Sequence, residues 1–249
     1  MYEEDFYDRL AGYYDLMQDD LDPAVFAKTV HDLIDRYCTA AGDGENGKRL
    51  LCDLGCGNGR VDYEFQKLGY DVIGIDSSPE MLNRAREKGD GILWLCQDIT
   101  DIDLYGSADV FVSLLDTINH ILDEEDIRNI FRSFRNFMNV GGVFVFDIGT
   151  YEHFSETLGN RTFFEDYDDV TLLWDNFFDE EENLNEAQLT LFETSDGGET
   201  YRRSDGVIEE RYYDKDLLIK IGEEEGLKFV GEHSEDNERL FLVFKRETL

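Results

Sequence analysis

The sequence has few of the residues that build metal or disulfide sites. Its 249 residues include four cysteines, four histidines and two prolines. The cysteines form no C-x-x-C pair and have no histidine cluster beside them, so the spacing argues against a zinc site and we expect no metal. They are Cys38, Cys52, Cys56 and Cys96.

Basic residues are also scarce. There are 23 lysines and arginines against 58 aspartates and glutamates, which gives a formal net charge of −35. Such a surface repels phosphate backbones, so stable nucleic-acid binding is disfavoured. No apolar run approaches the roughly 20 residues of a membrane helix. The acidic N-terminus lacks the features of a signal peptide. We therefore expect a cytoplasmic protein without a membrane partner.

Strand and helix signals alternate over most of the chain. Tyr7 to Met17 has helical spacing, and Asp22-Pro23 predicts the start of a second helix toward Cys38. From Lys48 onward, strands alternate with helices, which is typical of a Rossmann-like, doubly wound, mostly parallel α/β sheet. The seven predicted strands are 50–54, 71–76, 92–96, 108–115, 143–146, 227–232 and 240–244.

A different pattern interrupts this alternation between about Asn160 and Tyr213. Period-two alternation and turn residues replace helical spacing, and Ser195-Asp196-Gly197-Gly198 is a hairpin signal. We predict an inserted antiparallel β subdomain at 160–213 that covers the substrate site, within a main domain of 1–159 and 214–249. Residues 1–42 would be an N-terminal helical cover. The insertion's predicted strands are 170–178, 187–194, 199–204 and 207–213, and its expected wall residues are Tyr167, Trp174 and Arg203.

The most informative motif is the glycine loop at positions 53–59. Asp53-Leu54-Gly55-Cys56-Gly57-Asn58-Gly59 follows a predicted strand and opens a predicted helix. Its glycines have G-x-G-x-G spacing, whereas a dinucleotide fingerprint requires G-x-G-x-x-G. The preceding carboxylate would sit badly beside a pyrophosphate and suits a cationic amino-acid tail. These two differences argue against a dehydrogenase.

The loop resembles the first motif of class I S-adenosylmethionine-dependent methyltransferases, over roughly residues 48–148. The resemblance implies that the loop cradles the methionyl part of S-adenosylmethionine, with Asp53 near its amino group. It also implies that Asp76 binds the ribose hydroxyls, that Asp98 reads the adenine amino group, and that Met81 packs against the adenine. The complete predicted cofactor set is Tyr14, Asp53, Gly55, Cys56, Gly57, Gly59, Asp76, Ser77, Met81, Asp98, Ile99 and Leu114.

Candidates for aligning the methyl acceptor should follow the fourth and fifth strands. In 114–120, Asp116 and Asn119 could orient a nucleophile and His120 could accept its proton. The alternative for this stretch is a loop cap with a partly exposed histidine. Second choices are Asp147, Tyr151 and His153, just past the fifth strand.

DNA is an improbable acceptor. Nucleobase amino methylases of this fold use adjacent prolines after the fourth strand, and this chain has only Pro23 and Pro79. Cytosine C5 methylases need a cysteine there, and none follows Cys96. A small-molecule N- or O-methyltransferase is thus the leading hypothesis. The alternatives are a non-catalytic cofactor-binding module that acts through protein contacts, and a less firmly excluded RNA methyltransferase.

The N-terminal stretch with Tyr14, and the insertion ending in Arg211 and Tyr213, resemble an uncharacterised bacterial branch of this family. The resemblance implies that both cover the active site; core packing is an equal alternative for Tyr14. The branch has a histidine where this chain has Ile208, so the resemblance does not imply a shared substrate. An open edge of the inserted sheet could also pair two subunits, so a homodimer is an option.

Overall fold

The computed structural model describes residues 12–13, 21–42, 47–234 and 236–248. Over these ranges the chain forms five α-helices and eleven strands. The helices are α1 (Pro23–Tyr37), α2 (Arg60–Lys67), α3 (Pro79–Lys88), α4 (Glu124–Phe137) and α5 (Lys215–Glu224). The strands are β1 (Leu50–Leu54), β2 (Asp71–Asp76), β3 (Leu93–Cys96), β4 (Ala108–Ser113), β5 (Met138–Gly149), β6 (Thr162–Asp166), β7 (Val170–Asp179), β8 (Leu184–Glu193), β9 (Arg202–Arg211), β10 (Lys228–His233) and β11 (Arg239–Lys245).

Seven of the described strands form one sheet in the order β10-β11-β5-β4-β1-β2-β3. All neighbouring pairs from β5 to β3 are parallel, and β11 is antiparallel to both β5 and β10. The predicted Rossmann-like, mostly parallel seven-stranded sheet is confirmed. Because strand order reverses beside β1, the carboxyl ends of β1 and β4 flank a crevice, which is where such sheets bind ligands.

Helices cover both faces of this sheet. On one face, α4 and α5 bury a core rich in phenylalanine, in which the rings of Phe134 and Phe144 lie 4.2 Å apart. On the other face, α1 and α2 bury an aliphatic core around Leu51 and Val110. Helix α1 begins as predicted, because Asp22 accepts hydrogen bonds from Ala24 and Val25. Helix α1, which belongs to the N-terminal region, therefore packs against one face of the central sheet. The predicted helix at Tyr7 to Met17 lies outside the described residues, apart from Gly12 and Tyr13.

The insertion forms a separate antiparallel sheet in the order β6-β7-β8-β9. Two details differ from the sequence prediction. The first strand, β6, lies where the sequence predicts no separate strand. The predicted segments 199–204 and 207–213 form one strand, because Gly206 continues β9 opposite Leu189. One face of the sheet buries Val170, Leu172, Leu189 and Leu191.

Candidate active site

A cavity of ≈ 230 Å³ opens at the carboxyl ends of the central parallel strands. Eight of the residues that the sequence singled out lie in its wall, brought together from four separate loops. They are Gly55, Gly57, Asp76, Ser77, Met81, Asp98, Ile99 and His120. The wall also contains four residues that were not among the predicted site residues: Ser78, Leu115, Thr117 and Ile121.

The glycine loop turns sharply between β1 and α2. Gly55, Gly57 and Gly59 all have positive φ, a region that other residues adopt only with strain. A Cβ at Gly55 would lie 2.8 Å from Thr117 Oγ1 and would close the cavity floor. Gly59 has another role, because its Cβ would lie 2.5 Å from Trp94 of β3. Thus Gly55 keeps the cavity open, while Gly59 allows α2 to pack closely and lies outside the cavity wall.

Acidic side chains end two neighbouring strands of the wall. Asp76, at the end of β2, accepts hydrogen bonds of 2.8 Å from the backbone N–H groups of Gly57 and Ser78. Asp98 follows β3, is exposed, and accepts 2.9 Å and 2.8 Å bonds from Thr100. Both carboxylates face the cavity and can accept from a ligand's hydroxyl or amino groups as well. Both also hold backbone turns, so each has a structural role beside its predicted binding role.

A smaller depression of ≈ 20 Å³ adjoins the cavity through Gly55, Gly57 and Leu115. It brings together three more of the predicted cofactor residues, Asp53, Cys56 and Leu114. The Oδ1 atom of Asp53 is buried there without a hydrogen-bond donor. Burial raises the pKa of Asp53 well above its ordinary value, and the neighbouring carboxylates add to this effect. A cationic ligand group would donate a hydrogen bond to this oxygen and would lower the pKa of Asp53.

A strained turn carries the predicted acceptor-side residues. Leu115 and Asp116 are consecutive non-glycine residues with φ values of 57° and 61°. The buried carboxylate of Asp147, at the end of β5, accepts from their backbone N–H groups at 2.9 Å and 3.1 Å. Arg239 of β11 forms ion pairs with both Asp147 and Asp116. These contacts hold a conformation that costs about 1–3 kcal/mol per residue.

The ion pair also sets the charge of Asp147. The pKa of Asp147 is raised to about 6, because burial raises it by more than the adjacent Arg239 guanidinium lowers it. Neither Asp116 nor Asp147 lies in the wall of the cavity. Their contacts give them a positioning role for the turn that ends at His120.

His120 is the acceptor-side residue that reaches the cavity. Its Nε2 lies 3.7 Å from Oε1 of Glu210, near the end of β9. Burial raises the pKa of Glu210, although His120 nearby lowers it. Asn185 of β8 donates to Glu210 at 3.4 Å. Sequence reasoning missed Glu210, because one glutamate among the many acids of the insertion gives no local signal.

Asn119 is fully buried and lies outside the cavity wall. Its amide donates to the Arg211 carbonyl at 2.7 Å and accepts from the Gly149 N–H at 3.0 Å. One side chain thus joins the His120 turn to β5 and to the end of β9. Tyr213 adds a bond from its hydroxyl to the Ile121 carbonyl. This arrangement is how the insertion is attached to the site.

The other candidates lie elsewhere. Tyr151 donates to Glu180 at 3.2 Å, and His153 lies 3.7 Å from Glu238, both outside the cavity wall. The expected wall residues also lie outside it: Tyr167 and Trp174 pack on the apolar face of the inserted sheet, and Arg203 pairs with Asp205. Tyr14 lies outside the described residues.

The residues present fit S-adenosylmethionine. The buried oxygen of Asp53 that lacks a hydrogen-bond donor can accept a hydrogen bond from the ammonium group of the cofactor. Gly55 leaves room for a ligand against the loop backbone. Asp76 and Asp98 offer acceptor oxygens at successive strand ends. Fold and site together define an S-adenosylmethionine-binding α/β enzyme.

Comparisons with known proteins agree with this class. Residues 51–142 match the family model described as a methyltransferase domain. A protein of Geobacillus sp. (strain WCH70) with a provisional methyltransferase name is 24% identical over 252 residues, which is 96% of this chain and 99% of that protein. YqeM of Bacillus subtilis (strain 168), also a provisional methyltransferase, is 29% identical over 67% of this chain and 68% of its own.

One solved structure is similar to this chain over nearly its full length. The S-adenosylmethionine-dependent methyltransferase from Clostridium acetobutylicum ATCC 824 has a TM-score of 0.80 and 27% identity, covering 97% of this chain and 99% of that one. The chain belongs to the class I S-adenosylmethionine-dependent methyltransferases, as the glycine loop predicted, and S-adenosylmethionine is its cofactor. None of its described helices is long and apolar enough to span a membrane.

Proposed function

We propose that this enzyme methylates an amine nitrogen of a small molecule and that His120 accepts the amine's proton. The observation that carries the proposal is the position of His120 in the cavity wall, with the carboxylate of Glu210 behind it at 3.7 Å. This is the geometry of a general base supported by a second group. A histidine that is merely a loop cap does not need a half-buried carboxylate partner.

The chemistry requires alignment and the removal of one proton. S-adenosylmethionine supplies a methyl group on a positively charged sulfur. A protonated amine has no free lone pair, so His120 first takes its proton. With that lone pair free, the bound cofactor would supply the methyl group for the new N–C bond, and the electrons of its C–S bond would leave with the sulfur. Glu210 stabilises the positive charge that His120 acquires. Asp116, Asn119 and Asp147 fix the turn that holds His120.

Two proteins with the same domain act on amines according to their names. The glycine/sarcosine N-methyltransferase of Halorhodospira halochloris is 29% identical over 140 residues, 49% of this chain and 50% of its own. The sugar N-methyltransferase KedS8 from Streptoalloteichus sp ATCC 53650 shares the fold, with a TM-score of 0.76 and 18% identity. Their names support an amine acceptor over a hydroxyl or carboxyl group. Three points remain predictions: that DNA is not the acceptor, that RNA is a poor candidate for it, and that the protein can form a homodimer.

The test is an acceptor screen with a matched pair of histidine variants. The protein is incubated with S-adenosylmethionine and separate pools of amines, alcohols and carboxylic acids, and S-adenosylhomocysteine formation is measured. We expect turnover with amines, a loss of kcat of about a hundredfold or more in His120→Asn, and unchanged kcat in His31→Asn on α1. Affinity for S-adenosylhomocysteine should change less than about threefold in either variant, since neither loses a direct cofactor contact. Methylation confined to alcohols or acids, or full activity in His120→Asn, would overturn the proposal.

A further inference from the structure

Two buried asparagines interrupt the apolar inner face of the inserted sheet. Along β8, Ala187, Leu189 and Leu191 alternate toward this face and are buried, and Asn185 is buried in the same alternation at 0% exposure. Asn176 of β7 is 5% exposed. Asparagine is disfavoured in strands, and a buried amide is costly unless it forms hydrogen bonds. An apolar residue at either position would avoid this cost, so the amides indicate a function for their hydrogen bonds.

These hydrogen bonds form a chain that has a single direction. Nδ2 of Asn176 donates to the Arg161 carbonyl at 3.3 Å. A backbone carbonyl can only accept, so Oδ1 of Asn176 must point the other way. Nδ2 of Asn185 donates to this oxygen at 3.3 Å and to Oε2 of Glu210 at 3.4 Å. Turning the Asn185 amide over would place its oxygen against the oxygen of Asn176. The Arg161 carbonyl therefore fixes Asn185 as a donor toward Glu210.

Glu210 lies directly opposite Asn185 in the ladder of β8 and β9. Residues in such opposite positions interact through their side chains. Oε2 of Glu210 accepts from Asn185, whereas Oε1 faces Nε2 of His120 at 3.7 Å. The amide thus binds the oxygen that His120 does not face, and it leaves the other oxygen for the imidazole.

The groups around Glu210 have opposing effects on its charge. Burial raises the pKa of Glu210, and the neighbouring carboxylate of Asp116 adds to this effect. His120 and His153 lower the pKa, and the hydrogen bond from Asn185 lowers it as well. The Asn185 amide is uncharged, so its effect persists when the two histidines lose their protons.

We propose that Asn185 is a positioning residue for methyl transfer, whose amide keeps Glu210 as a carboxylate and directs its Oε1 at His120. This inference rests on the roles of His120 and Glu210 in the proposed function. Without the amide, Glu210 would take up a proton more readily, and His120 would lose the negative charge that stabilises its protonated form. The inserted sheet then contributes to the reaction a hydrogen-bond chain that begins at the Arg161 carbonyl.

The ionisation of Glu210 tests the role of Asn185 without any methyl acceptor. The glutamate carboxyl carbons are labelled with ¹³C for NMR, and the Glu210 signal is identified by its absence in Glu210→Gln. Asn185→Leu removes the donor and keeps a side chain of similar size. In this variant the titration midpoint of Glu210 should lie about one pH unit above the wild-type midpoint, the effect of one hydrogen bond to a charged group. An unchanged midpoint would overturn the proposal.

Ser204→Ala is the matched control. Ser204 lies on the same face of β9 as Glu210 and is buried, and its hydroxyl has no hydrogen-bond partner. Its replacement should leave the Glu210 midpoint and kcat unchanged. An equal shift in Ser204→Ala and Asn185→Leu would show that any change on this face moves the midpoint, which would also overturn the proposal.

The pH dependence of kcat connects this effect to catalysis. With an amine acceptor, the ratio of wild-type to Asn185→Leu kcat should rise toward about tenfold at low pH and fall toward one by about pH 9, because Glu210 regains its charge as the pH rises. In the Glu210→Gln background, Asn185→Leu should cause no further loss of kcat, since its effect passes through Glu210. A loss that is independent of pH, or equally large in that background, would mean that Asn185 has only a structural role.

The Asn185 amide also provides a measurement that needs no substitution. Should Asn185→Leu fail to fold, the side-chain amide protons of Asn185 in the wild type should shift with pH at the same midpoint as the Glu210 carboxyl. Amide signals that stay constant while Glu210 ionises would overturn the proposal. If His120→Asn keeps full activity, the proposed function fails, whereas a raised Glu210 midpoint in Asn185→Leu would still support the effect of the amide on Glu210.

Discussion

Nε2 of His120 lies 3.7 Å from Oε1 of Glu210, and this pair joins the wall of the cavity to the end of the inserted sheet. His120 belongs to the turn after β4, and Glu210 lies near the end of β9. The insertion therefore lies beside the cavity wall, through a residue that the sequence did not single out.

Replacing Glu210 by glutamine should lower kcat by about ten- to a hundredfold, a part of the contribution of general base catalysis. The reason is that His120 loses the carboxylate that holds it and balances its charge. KM for the acceptor and affinity for S-adenosylhomocysteine should change little. Steady-state kinetics and calorimetry measure these quantities. Glu209→Gln, exposed on the same strand, is the control. Equal activity in both variants would show that Glu210 has no such role.

Removing Arg239 should destabilise the fold in a pH-dependent way. Arg239→Met leaves Asp147 buried without its cation, which costs about 3–5 kcal/mol when Asp147 is charged. The folded pKa of Asp147 is raised to about 6, and losing Arg239 raises it further, while the unfolded carboxyl ionises near pH 4. The neutral acid is tolerated at pH 5, so the loss should be small there and large at pH 8.

Urea unfolding at the two pH values measures this difference. The double variant Asp147→Asn with Arg239→Met should regain much of the stability at pH 8, because no buried charge remains. Equal losses at pH 5 and pH 8 for Arg239→Met would mean that lost packing, rather than the charge of Asp147, sets the cost.

Substituting Gly55 by alanine should abolish tight cofactor binding. Its φ is 72°, and the new Cβ would collide with Thr117 across the cavity floor. Gly69 is the matched control, since its φ is 100° and a Cβ there meets open space. Both variants should lose about 1–2 kcal/mol of stability from the left-handed backbone.

Thermal unfolding with and without S-adenosylhomocysteine separates the two effects. At a ligand concentration of a hundred times Kd, binding adds about 2.7 kcal/mol to stability. We expect Gly69→Ala to retain this stabilisation and Gly55→Ala to lose most of it. A full ligand-induced shift in Gly55→Ala would place the cofactor away from Thr117.

Asn119→Ala should destabilise the ligand-free protein by about 2–4 kcal/mol, since it leaves two buried backbone groups without partners. These are the Arg211 carbonyl and the Gly149 N–H. The exposed Asn83→Ala is the control in urea unfolding. Unchanged stability with a large loss of kcat would instead support the direct role in orienting the acceptor that the sequence suggested.

Much of the fold could be predicted because its signals are local. Asp22, Ser78, Asp123 and Asp214 each cap the helix that follows, and Gly226 ends α5 with a φ of 91°. The inserted sheet was harder to predict. Strand β6 is short and mostly exposed, so its hydrophobic pattern is weak. Gly206 inside β9 resembles a turn signal, although pairing with β8 carries the strand through it.

The sequence by itself determined the class of the protein and predicted one side of its candidate site. Asp53 and Asp76 lie at the carboxyl ends of β1 and β2, and Asp98 comes just after β3; parallel neighbouring strands bring these ends to one edge. Only the tertiary structure decided which side chains meet across the fold: Glu210 with His120, and Arg239 with Asp147. The physical reason is that spacing along the chain specifies local hydrogen bonds and periodicity. A buried charge, in contrast, finds its partner wherever packing brings two distant segments together.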